Sequence, residues 1–192
     1  ENTWYYETST GFYAYYPQLE IFSHNAYTAI KQRSRESVTV SKFNEGDGSK
    51  ENPYIIRNQY DMEAISQMTQ ARYTLAGIYF EVAQEVDAID LTKLETLYQP
   101  IGNSSYHFQG NFNGNGVVFE IDLTRNANYQ GLFGVIGNNG IVSNLGIKGK
   151  IEANRFTGGI AGRNYGTVTN SYNMANITGL DYVGGITGYS DG

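Results

Sequence analysis

The sequence predicts an all-β chain wound as a β-solenoid, with one short α-helix beside its first strands. Three observations predict it. Glycine and asparagine crowd into the second half: 19 of the 23 Gly and 14 of the 19 Asn follow Pro100. That half matches itself at an offset of 26 residues. Between its glycines, short runs alternate apolar with polar residues, the period of a half-buried strand.

The offset carries most of the argument. From Gly140 onward, Gly140 falls on Gly166, Val142 on Val168, Asn144 on Asn170 and Ile151 on Ile177. Gly158, Gly159, Ile160 and Gly162 fall on Gly184, Gly185, Ile186 and Gly188, and Gly166 falls on Gly192. These are nine identities in 27 pairs, where this composition gives roughly two by chance. Earlier, Gly116-Val117-Val118 matches Gly140-Ile141-Val142 at a spacing of 24. The expectation is about three stacked units of 24–26 residues over 101–192, truncated at the C-terminal end. Val118, Val142 and Val168 should stack inside. Asn144 and Asn170 should stack at a corner and exchange amide hydrogen bonds. Gly and Asn supply the corners because they tolerate φ > 0. An antiparallel sandwich is the alternative, but it has no reason to hold a 26-residue register.

Residues 44–100 read as the N-terminal cap of the solenoid. Asn44–Ser49 is a turn-rich break, and Pro53-Tyr54-Ile55-Ile56 is a short strand opened by proline. The one helix is predicted at about 59–70. Asn58 is its N-cap, Asp61 favours the positive end of its dipole, and Met62, Ile65 and Met68 mark one apolar face. Tyr79-Phe80-Glu81-Val82 resumes a strand, and Ile89-Asp90-Leu91-Thr92 recurs as Ile121-Asp122-Leu123-Thr124. A solenoid's first coil has an open apolar end, and this helix is placed to cover it.

Residues 1–43 are the most aromatic stretch. Trp4, Tyr5, Tyr13 and Tyr15 are its candidate binding residues, since exposed rings stack on sugars or on a protein partner. Packing against the rest of the chain explains the same rings.

Three separate signatures, in order, resemble the GLUG-repeat regions of bacterial cell-surface and adhesin-like proteins. The first is Gly46-Asp47-Gly48-Ser49-Lys50-Glu51-Asn52-Pro53-Tyr54-Ile55-Ile56. The second is Pro100-Ile101-Gly102 followed by Phe108–Gly116. The third is the repeat itself: Gly131-Leu132-Phe133-Gly134, Gly158-Gly159-Ile160-Ala161-Gly162 and Gly184-Gly185-Ile186-Thr187-Gly188. Asn113 departs from the family's usual Asp. The resemblance covers about residues 44–192 and implies a right-handed parallel β-helix, export, and a place in large adhesin-like proteins, some with IgA-protease-type peptidase domains. It also implies that 1–43 is the tail of a preceding repeat region plus a linker, so that the chain is a slice of a longer protein. Gly134, Gly162, Gly188, Asn144, Asn170, Val142 and Val168 are then structural repeat positions.

Chemistry and partners are mostly read by exclusion. The net charge is −6, with 8 Lys+Arg against 14 Asp+Glu in residues 1–100 and 5 against 5 afterwards. Nucleic-acid binding is not expected, because the one basic stretch, Lys31–Arg35, is an isolated solvated face. No apolar run is long enough to span a membrane. There is no Cys, and His24 and His107 form no HExxH motif, so neither a metal site nor a cofactor is expected. Asp47 with Glu51, or Asp87 with Asp90, could gather around Ca²⁺, but turn caps and surface carboxylates explain them more simply. The expected function is a non-catalytic spacer or adhesion scaffold at the bacterial surface, with weak binding of a host glycan or surface protein. Edge-to-edge self-pairing is expected at the open last coil. The catalytic alternative is a polysaccharide-active β-helix (glycoside hydrolase or lyase) using two carboxylates drawn from Glu120, Asp122, Glu152 and Asp181. A third reading is the accessory region of a surface peptidase.

Overall fold

The computed structural model describes residues 43–191. Chain order starts with β1 (Tyr54–Ile56), helix α1 (Gln59–Gln70), β2 (Tyr79–Val82), β3 (Ala88–Asp90), a single 3₁₀ turn (Leu91–Lys93), β4 (Asn111–Asn113) and β5 (Val118–Thr124). It continues with β6 (Phe133–Ile136), β7 (Ile141–Ser143), β8 (Gly146–Glu152), β9 (Arg155–Gly158), β10 (Ala161–Asn164) and β11 (Thr167–Thr169). The last are β12 (Tyr172–Asn173), β13 (Asn176–Thr178), β14 (Asp181–Gly184) and β15 (Thr187–Ser190). Within the described residues the chain is therefore β throughout, with one α-helix.

The strands are short because each covers one side of a turn before Gly or Asn bends the chain. Strand β5 shows the alternation: Phe119, Ile121 and Leu123 point inward, while Asp122 and Thr124 are exposed.

Every strand pairing among the described residues is parallel. The longest sheet runs β1-β2-β4-β7-β11, and a second runs β3-β5-β8 with β12 and β13 both beside β8. Strands β6-β10-β15 and β9-β14 complete the set. Neighbours in a sheet come from successive passes of the chain. Val142 lies opposite Val168, Ala161 opposite Thr187 and Gly158 opposite Gly184. These pairs are 26 residues apart, the offset of the glycine identities.

Earlier passes are longer, and here the sequence reading is corrected. Val118 does not stack on Val142; it pairs with Gly146. The inward column under Val142 is Tyr54, Phe80 and Phe112. Ile89 faces Phe119, so the Ile-Asp-Leu-Thr recurrence is not the pairing register. Glu120 and Asp122 lie opposite Lys148 and Lys150. The spacing of 24 came from a three-residue match. It missed the extra residues that earlier passes carry in loops such as Arg125–Asn128.

The core is aromatic. Phe80, Phe108, Phe112, Phe119 and Phe133 are essentially inaccessible. Ring centroids are 5.1 Å apart for Phe108–Phe133 and 5.6 Å for Phe112–Phe133. Helix α1 joins this core through Met62, Ile65 and Met68. It starts in a capping box. The Asn58 side chain accepts from the Tyr60 and Asp61 amides at 2.9 and 3.2 Å, and Asp61 accepts from the Asn58 amide at 3.3 Å. The helix is tied to the next loop. Ser66 Oγ donates to the Gln99 carbonyl at 2.6 Å, and the Gly102 amide donates to Thr69 Oγ1 at 2.8 Å.

Phe112 packs between Phe80 and Val142 in the inward column. Phe112→Ala is expected to cost about 3–5 kcal/mol of stability, read by denaturant unfolding.

Candidate functional site

Two surface features can meet a ligand or partner: a depression on the outer face of the longest sheet, and the row formed by the last pass of the chain.

Outward positions on that sheet form two columns. One runs Tyr79, Asn111, Ile141 and Thr167, and the other Glu81, Asn113, Ser143 and Thr169. Asn111 is short and stands between a tyrosine and an isoleucine. A shallow depression of about 140 Å³ results, with Lys50 and Pro53 at one end. Phe80 and Phe112 turn their rings into the core, so their backbone forms its floor.

One wall is held by side-chain amides. Asn113 Nδ2 and Asn115 Nδ2 both donate to the Glu81 carboxylate at 3.3 Å. Asn144 Nδ2 donates to Asn113 Oδ1 at 2.9 Å. The amide of Asn144 thus points back to Asn113, and no hydrogen bond joins it to the side chain of Asn170. The two residues do share a conformation: Asn115, Asn144 and Asn170 all sit at left-handed corners, with φ of 53°, 56° and 46°.

A second corner column is aromatic. Tyr129, Phe156 and Tyr182 have φ of 59°, 58° and 54°, a region bulky residues rarely adopt. Their rings stack face to face at 4.8 and 4.7 Å, within 2° of parallel. Stacking offsets the backbone strain. It also covers both ring faces of Phe156, which lies between the two tyrosines. Beside it Arg163 sits 4.5 Å from the Tyr165 centroid and 4.9 Å from that of Tyr189, and pairs with Asp191 at 3.3 Å.

The repeat glycines belong to this column. A Cβ on Gly162 would come within 2.6 Å of the Phe156 carbonyl oxygen, and one on Gly188 within 2.6 Å of that of Tyr182. Gly134 meets the Tyr129 oxygen in the same way at 3.1 Å.

The last row is β11 to β15. Each of these strands has one hydrogen-bonded neighbour among the described residues and one free edge. Leu180 is 81% exposed and Met174 59%, with Tyr172, Val183 and Ile186 also exposed. Between Thr167 and Ser190 the single charged residue is Asp181, which pairs with Arg155 at 3.0 Å.

The remaining sequence candidates are dispersed. Trp4, Tyr5, Tyr13 and Tyr15 lie outside the described residues. Asp47 caps a turn by accepting from the Ser49 amide at 2.9 Å, and Asp90 caps the 3₁₀ turn by accepting from the Thr92 amide at 3.0 Å. Hydrogen bonds from Ser49 and from Thr92 hold these two carboxyls below their ordinary pKa. Among the described residues no cluster of three or more His, Cys, Asp or Glu is placed to hold a metal ion. Glu120 pairs with Lys148 at 2.7 Å and Glu152 with Lys150 at 3.0 Å. The Glu120 partnership raises the Lys148 pKa. No described helix is long and apolar enough to cross a membrane. The depression at Tyr79 and the aromatic column were missed from sequence. Tyr129, Phe156 and Tyr182 at offsets of 27 and 26 were the available signal for the column.

With this geometry in view, the chain is similar to two much longer proteins. It is 37% identical over 138 residues to a Gly-rich membrane protein of Evansella cellulosilytica, a match that takes in 68% of this chain and 15% of that protein. It is 28% identical over 191 residues to halomucin of Haloquadratum walsbyi, taking in 90% of this chain and 2% of that protein. The chain therefore spans a small part of either relative. No protein-family model and no solved structure matches it.

Gly162→Ala should destabilise the protein by about 1–3 kcal/mol in thermal unfolding, because the close approach at that corner leaves no room for a methyl group. The pH dependence has a defined sign. Asp47 and Asp90 have depressed folded-state pKa values, so their contribution is complete above the ordinary value of 3.8 and is lost as pH falls through the folded values. Melting temperature should fall below about pH 4, and Asp90→Asn should flatten that acid limb.

Proposed function

We propose that the chain is a non-catalytic β-solenoid module, a right-handed parallel β-helix with GLUG-type windings, in an exported bacterial surface protein. Its role is that of a spacer or adhesion scaffold. The observation that carries this reading is that every strand among the described residues pairs in parallel with a strand from an adjacent pass of the chain. In such an array each winding contacts only its neighbours, so length is added without redesigning the core. Helix α1 is the lid of the first winding. The two relatives, a Gly-rich membrane protein and halomucin, support a place at the cell surface. Glu120 and Glu152, which a polysaccharide-cleaving reading would need, are each engaged by a lysine, and this supports the scaffold over the enzyme.

The same reading assigns self-association to the last winding. Its free edges and near-absence of charge let identical rows meet without like-charge repulsion.

Insertion of a second copy of residues 141–166 directly after 166 tests the winding. Small-angle scattering should show the particle lengthening by about 4.8 Å with cooperative unfolding retained. An unchanged length, or loss of the fold, would sink the proposal. For self-association, sedimentation should show concentration-dependent dimers that the double variant Leu180→Lys, Val183→Lys abolishes. A monomer at all concentrations removes that part of the reading.

A further inference from the structure

The depression between Tyr79 and Ile141 has features that stacked windings do not require. We propose that it binds one uncharged pyranose ring of a glycan. The Tyr79 ring and Ile141 would pack against the C–H face of the sugar, and the Asn111 amide would bond its hydroxyl or acetamido groups.

Three properties of the site point to this ligand class. The first is its mixed chemistry. Tyr79 and Ile141, the latter 43% exposed, stand on either side of Asn111 in one column. A pyranose has the matching surface, with an apolar face of C–H bonds and a rim of hydroxyls. A tyrosine meets both at once through its apolar ring and polar tip.

The second is preorganisation. Glu81 and Asn113 are fixed by the hydrogen bonds from Asn113, Asn115 and Asn144, so that wall loses little freedom when a ligand arrives. The Asn111 side chain, by contrast, has no hydrogen-bond partner among the described residues. It is free to serve a ligand.

The third is charge and size. Lys50 and Glu81 are the charged residues lining the depression, one of each sign, so neither an anionic nor a cationic ligand gains a net advantage. A volume of about 140 Å³ is below the ~300–1,000 Å³ of drug-sized sites and suits a single ring held on one face. Affinity for a monosaccharide should accordingly be about millimolar.

The site does not rest on the scaffold reading, since a module of any role could carry it. The test is a titration of the whole chain, followed by amide NMR. The probes are the methyl glycosides of glucose, galactose, mannose and N-acetylglucosamine, with glucuronic acid as the charged comparison. The expected result is a saturable shift of amides in β2, β4 and β7 with at least one neutral glycoside. Tyr79→Ala and Asn111→Asp should each weaken it about tenfold or more, while Thr169→Ala leaves it unchanged. Asn111→Asp preserves side-chain size, so it keeps the test valid if Tyr79→Ala lowers stability. No saturable shift with any neutral probe overturns the proposal. So does a shift that survives both variants, or binding of glucuronic acid alone.

Discussion

The constraint on which the rest of the structure depends is the close passage of backbone over backbone at the aromatic corner. Phe156 turns the chain in a left-handed conformation, and its carbonyl then presses against Gly162. Tyr182 and Gly188 repeat the arrangement one pass later. Any side chain at these glycines would push the strand away from the corner. The parallel pairing of β10 with β6 and β15 would be lost with it. A bulky aromatic in this region of φ is strained, and three in a column need a common compensation. The ring stack supplies it at a spacing close to the ~4.8 Å between paired strands.

Charge adds register where glycine adds room. Glu120 meets Lys148, Arg155 meets Asp181 and Arg163 meets Asp191, each pair joining one pass to the next. All are at least partly solvated, and such pairs contribute about 1 kcal/mol or less. Their value is discrimination: a slip by one residue would turn every side chain to the other face of its sheet. The even charge balance after Pro100 thus has a structural counterpart in opposite charges on adjacent strands.

The sequence disclosed the strand class and the 26-residue register because later passes are short and uniform. The same glycines and valines return to the same corners, and β7 pairs with β11 at that offset. The helix was legible from Asn58, Asp61 and the Met62–Ile65–Met68 face. Earlier passes were misread because their loops differ in length. A local match such as Gly116-Val117-Val118 then outweighed the true partners, Phe112 with Val142 and Val118 with Gly146. The depression was invisible for another reason. It is made by adjacency between strands about 30 residues apart, and Tyr79, Asn111 and Ile141 share no motif along the chain. The Asn144 amide was likewise assigned to Asn170 by analogy with in-register ladders, whereas its partner, Asn113, belongs to the pass before.

The ring stack also limits how such a chain can change in size. Tyr129, Phe156 and Tyr182 are seated directly one above another, so no fraction of a turn can be slipped between them. Residues gained within a turn must bulge sideways, as they do around Arg125–Asn128. Residues that extend the stack must come as a complete pass bringing its own ring and its own glycine. Growth lengthwise is therefore quantised, while growth in girth is continuous.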